Sequence, residues 1–119
     1  MEIRKAVAAL EALAQETRLA TFRALVQAGP EGLAAGALAD AVACPASTLS
    51  FHLKALSAAG LVRARQEGRF IYYSADFTRM SALLAYLTEH CCKGMPQDCF
   101  SVVETALGTC CPPSERKCA

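Results

Sequence analysis

The chain has 119 residues, 54% of them hydrophobic and 19% charged, which is enough for one domain with a real core and too little for two. Twelve Lys and Arg against eleven Asp and Glu leave a net charge of +1, so no global field draws the molecule to nucleic acid and any such contact needs a local basic surface. The start of the chain shows no secretory pattern and no stretch approaches the roughly 20 apolar residues of a membrane span, so a cytoplasmic protein without a membrane partner is expected.

In chain order, Ile3, Val7, Leu10 and Ala14 mark one face at helical spacing, and Leu19, Phe22 and Val26 do so again, predicting two helices. The second stops at Gly29-Pro30. Leu38 and Val42 mark a short third helix ending near Cys44, and Pro45 suits the first turn of a fourth, because its missing N–H would have no helical partner there. That fourth helix runs to about Ala59 and ends at Gly60. From Leu61 to Ser74 the residues become β-branched and aromatic around Glu67-Gly68, predicting a two-stranded hairpin. Asp76 is placed to cap a fifth helix whose apolar face is Met80, Leu83, Leu84 and Leu87 and which fails near Gly94 and Pro96. Ser101 and Glu104 form a capping box for a further short turn ending at Gly108. Pro112-Pro113 and the charged stretch after them read as a flexible tail.

A short helix, a tight connection, a four-turn helix and a hairpin make a helix-turn-helix with a wing, an α+β fold that is mainly α, with five or six helices. The expected organisation is a domain over residues 1–108 and a cysteine-containing tail over 109–119. On the fourth helix Leu49, Leu53 and Leu56 share a packing face, and Ser47, Thr48, Ser50, His52 and Lys54 are expected outward, where hydroxyls and a cation suit base edges and phosphates. Between Phe51 and Tyr73, Lys54, Arg63, Arg65 and Arg69 stand against Glu67 alone. The basic footprint is therefore local, and Arg69 at the hairpin turn is within reach of a minor groove or a phosphate. Taken singly, each of these residues reads equally well as solvated surface.

The stretch Ser47-Thr48-Leu49-Ser50-Phe51-His52-Leu53-Lys54-Ala55-Leu56 with Ala59-Gly60-Leu61-Val62 resembles the recognition helix and exit of the ArsR/SmtB family of metalloregulatory repressors. Leu13-Ala14-Gln15-Glu16-Thr17-Arg18-Leu19 resembles the start of that family's second helix, and Glu67-Gly68-Arg69 its wing. The resemblance implies a homodimer built through the first and fifth helices, which binds double-stranded operator DNA without metal and releases it with metal.

Seven cysteines in a reducing compartment point to metal or redox chemistry rather than structural disulfides. Cys91 and Cys92 lie where the fifth predicted helix runs out, and Cys99 follows across a loop long enough to return a third thiolate to the same ion. Three sulfurs suit a soft trivalent ion, As(III) or Sb(III). The segment Ala85 to Cys92 with Asp98-Cys99 resembles the family's arsenic-sensing branch, with a loop one residue longer. Cys110, Cys111 and Cys118 repeat the spacing and form a second candidate metal set, alone or mixed with Cys99. Cys44 is expected to be a small buried hydrophobe. Other readings stay open: a Zn(II) or Cd(II) sensor in which His90 adds a fourth ligand, and a thiol redox switch at Cys91 and Cys92. An enzyme is not expected, because the Cys-x5-Arg stretch from Cys110 to Arg116 contains Pro112 and Pro113, which offer no N–H to an oxyanion.

Overall fold

A computed structural model describes residues 1–89. Its compact unit is Met1–Tyr86, and of a second unit, Leu87–Ala119, the residues up to 89 are described. The elements are α1 (Ile3–Leu13), α2 (Glu16–Ala28), β1 (Leu33–Ala34), α3 (Ala35–Val42), α4 (Ala46–Ala58), β2 (Val62–Glu67), β3 (Phe70–Ala75) and α5 (Phe77–Thr88). The expected capping box at Ser101 and Glu104, the turn at Gly108 and the boundary between 108 and 109 lie outside the described residues.

Alanine-rich α1 has high intrinsic helix propensity. Arg18 at the start of α2 makes two bonds, one of which reaches back to the end of α1. The Gln15 side chain accepts the Arg18 N–H at 2.8 Å and caps α2, while Arg18 Nε donates to the Ala12 carbonyl at 2.8 Å, satisfying an acceptor that the helix end leaves open. Leu25, Leu38, Leu49, Leu56 and Leu61 are fully buried at the centre, with Ala6, Ala9, Phe22, Leu53, Val62, Ala75 and Leu83 around them. One core thus joins α1 to α5 and the strands.

The apolar stripe marked in the sequence is not the face that α1 buries within the domain. Ala6, Ala9 and Ala12 are buried, while Ile3, at 65% exposure, Val7 and Leu10 face outward. Helix α1 packs on α2 and α4, and alanines allow close approach of the backbones, so a large residue in those places would hold the helices apart. In α2 the buried residues are Thr21, Phe22 and Leu25, with Leu19 outward and the Thr21 hydroxyl bonded to the Thr17 carbonyl.

The sheet has three antiparallel strands in the order β1-β3-β2, where the sequence predicted two. Leu33 pairs with Tyr73 and Ala34 with Tyr72. A two-residue strand has no alternation to read, which is why it left no trace in the pattern. Gly32 makes the pairing feasible, since a Cβ there would collide with the Tyr73 carbonyl oxygen. In the hairpin Glu67 pairs with Phe70, so the loop residues are Gly68-Arg69, one position later than expected. Gly68 has φ 61°, the positive value that two-residue hairpin loops require at their first position.

Candidate nucleic-acid interface

The connection from α3 to α4 is tight: Ala43 adopts φ 53°, and the Cys44 N–H donates back to the Ala39 carbonyl at 3.1 Å. Pro45 is the N-cap of α4, one position before the expected first turn, and its carbonyl accepts the Leu49 N–H at 2.9 Å. No side chain caps that end, so its remaining first N–H groups are left to solvent or to an anion.

Helix α4 divides cleanly into two faces. Leu49, His52, Leu53 and Leu56 are buried at spacings of three, four and seven, one stripe of a helix. Ser47, Thr48, Ser50, Phe51, Lys54 and Ser57 are exposed. The outward placement expected for Ser47, Thr48, Ser50 and Lys54 is what the structure shows. That expected for His52 is not: it is 9% exposed, and its Nδ1 is buried without a hydrogen-bond partner among the described residues. Polarity suggested the surface, but position 52 is three after Leu49 and four before Leu56, and the helical repeat decides. His52 is therefore withdrawn as a direct nucleic-acid contact. Sequence reasoning also missed Phe51, 68% exposed, whose ring meets that of His52 edge-on at 5.8 Å and 73°. The signal was present, since Phe51 lies outside the 49/52/53/56 stripe.

The hairpin carries its arginines at three heights. Arg63 pairs with Ser74 at the foot, Arg65 with Tyr72 midway, and Arg69 sits in the turn. Arg63 Nε lies 3.1 Å from Asp76 Oδ2. The other Asp76 oxygen accepts the Arg79 N–H at 3.0 Å and caps α5 as expected. That backbone bond holds the Asp76 carboxyl below its ordinary pKa, helped by the hydrogen bond and charge of Arg63 and the charge of Arg79, and opposed by burial. Arg65 is engaged on three sides: Nε is 3.0 Å from Glu67 Oε1, a guanidinium nitrogen donates to the Glu31 carbonyl at 3.3 Å, and the guanidinium lies 5.4 Å from the centroid of the Tyr72 ring. Of the four expected cations, then, Arg63 and Arg65 are neutralised or engaged within the domain. Lys54 and Arg69 are exposed and form no ion pair among the described residues.

Cys44 is half-buried against the core, and its Sγ lies 3.6 Å from the Pro45 carbonyl oxygen. The candidate ligands Cys91, Cys92 and Cys99, with Cys110, Cys111, Cys118 and His90, lie outside the described residues. Among the described residues no group of three or more His, Cys, Asp or Glu side chains is arranged to hold a metal ion, and no helix is long and apolar enough to cross a membrane.

The arrangement of α3, α4 and the β2–β3 hairpin defines a winged helix-turn-helix domain. A helix-turn-helix domain family matches residues 13–65. Nodulation protein NolR of Rhizobium meliloti is 38% identical over 80 residues, covering 67% of this chain and 63% of that protein, so the chain spans less than two thirds of this curated relative. The crystal structure of NolR from Sinorhizobium fredii is 38% identical, with 73% of this chain and 84% of that one covered and a TM-score of 0.58. The solution structure of the homodimeric winged helix-turn-helix DNA-binding domain of Mb0332 from Mycobacterium bovis, a possible ArsR-family transcriptional regulator, is 32% identical over 74% of this chain and 82% of that one, with a TM-score of 0.59. A possible transcriptional regulator for arsenical resistance is 33% identical over 66% of this chain and 78% of that one, with a TM-score of 0.57. None of these proteins is named as an enzyme. The chain belongs to the ArsR family of transcriptional regulators.

Proposed function

We propose that the chain is a transcriptional repressor that binds double-stranded operator DNA as a homodimer and releases it when As(III) or Sb(III) is captured by the thiolates of Cys91, Cys92 and Cys99. The observation that carries the DNA half is the two-faced α4, locked by four buried residues and presenting hydroxyls and the cation of Lys54. Phosphates accept both kinds of donor and base edges are read by them, with Arg69 at the hairpin turn as a further phosphate or minor-groove contact. The outward Ile3, Val7 and Leu10 of α1 support a second copy as partner, as does the homodimeric state named for Mb0332.

The inducer half rests on sequence chemistry: three thiols at this spacing match a soft trivalent ion, and one similar protein is named for arsenical resistance. Cys110, Cys111 and Cys118 are a secondary set for the same ion. Because linkage is reciprocal, an ion that prefers the DNA-incompetent dimer weakens operator affinity by the factor by which DNA weakens the ion. Derepression then needs no chemistry on DNA.

The test is fluorescence anisotropy of the reduced full chain on a duplex selected from a random library, titrated with arsenite. Cys91→Ser and Cys92→Ser are expected to bind that duplex as the parent does and to ignore arsenite. Release that persists in both variants overturns the site, and equal affinity with and without arsenite overturns the regulation. Release by Zn(II) instead, lost in His90→Ala, favours the four-ligand alternative.

A further inference from the structure

Among the exposed large hydrophobic residues of the described region Phe51 is the most exposed, at 68%, and it stands within a polar surface. Ser47 and Thr48 lie one turn before it and Lys54 one turn after, all exposed. Its surroundings differ from those of Ile3, Val7 and Leu10, which lie together on α1 as an apolar face suited to another protein surface. The edge-on partner of Phe51, His52, lies on the buried stripe of α4 with Leu49 and Leu56, so the ring stands at the border of that face. An exposed apolar ring amid hydroxyls and a cation calls for a ligand that is polar overall with one small apolar group. A duplex major groove offers such a surface, and its apolar group is the 5-methyl of thymine.

We infer that Phe51 determines specificity by packing on a thymine methyl group in each half-site. The inference deepens the DNA-binding function proposed above and rests on it. The polar neighbours supply register and hold to phosphates and base edges, while the ring distinguishes thymine from bases that present no methyl at that place.

The experiment uses the reduced full chain and the duplex it selects from a random library. Each thymine is replaced in turn by uracil, which removes the methyl and keeps every hydrogen-bonding group. At the contacted position affinity is expected to fall about four-fold, the factor corresponding to one buried methylene-sized group. Phe51→Ala is expected to bind the thymine and uracil duplexes equally, and Phe51→Leu to keep part of the difference. Since the ring is exposed, both variants are expected to melt as the parent does. A selected site without thymine, a parent indifferent to uracil at every position, or an undiminished uracil penalty in Phe51→Ala overturns the methyl contact while leaving DNA binding intact. Failure to select any duplex overturns the DNA-binding function itself.

Discussion

Helices α1 and α4 are both amphipathic, yet they sort their side chains in opposite senses. In α4 the leucines at 49, 53 and 56 are inside and the small hydroxyl residues outside. In α1 the small residues Ala6, Ala9 and Ala12 are inside, and the larger Ile3, Val7 and Leu10 outside. The difference shows that burial within the domain follows the room between backbones as well as hydropathy. It also shows two kinds of surface: α4 offers hydrogen bonds and charge to something polar, α1 offers apolar area to something like itself.

The largest expected effect sharpens the α4 side. Leu56 is fully buried, so Leu56→Ala should cost about 2–5 kcal/mol in urea unfolding, through lost transfer energy and the cavity left behind. A smaller loss would mean that this face of α4 is not the locked one. Next is the cap of α5, the helix that follows the hairpin. Asp76→Ala should cost about 0.5–2 kcal/mol at neutral pH. The folded Asp76 pKa lies below its ordinary 3.8, so the carboxylate stabilises fully above that value and ceases to as pH falls through the folded one. Melting curves of parent and variant should therefore converge in acid, and a gap independent of pH would remove the ionised cap from the account.

The smallest effect on the fold is expected at α1, and there the comparison is most easily broken. Val7→Glu with Leu10→Glu should alter intrinsic stability by no more than about 0.5 kcal/mol, because both sites are exposed. The double variant should nevertheless sediment as a monomer and lose the concentration dependence of melting expected for the parent. A variant that stays dimeric would leave the apolar face of α1 without its proposed partner.

Much of this was legible from residue order. The limits of α2 at Gly29, of α4 at Gly60 and the hairpin near Glu67-Gly68 each rested on a residue with a local physical role, and each lies within a position or so of its expected place. What failed were judgements that treat hydropathy as burial. His52 looked exposed because it is polar, and Phe51 was passed over among the outward residues because aromatic rings usually pack. The buried face of α1 was not legible, because alanine carries little hydropathy although it packs closely. β1 was invisible, since two residues form a strand only when a distant partner, here Tyr72 and Tyr73, lies alongside. Of the candidate site, the outward hydroxyls of α4 were foreseen. The engagement of Arg63 and Arg65 was not, because Asp76 and Glu31 meet them only through the fold.

β1 ends where α3 begins, with Ala34 followed directly by Ala35, and the same two residues are stitched to β3. The hairpin is thus hinged to the helical pair at two points, through β1 on one side and through the chain leaving α4 on the other. The lower half of the hairpin is thereby coupled to α3, while the Gly68-Arg69 tip extends beyond the last β1 pairing at Tyr72.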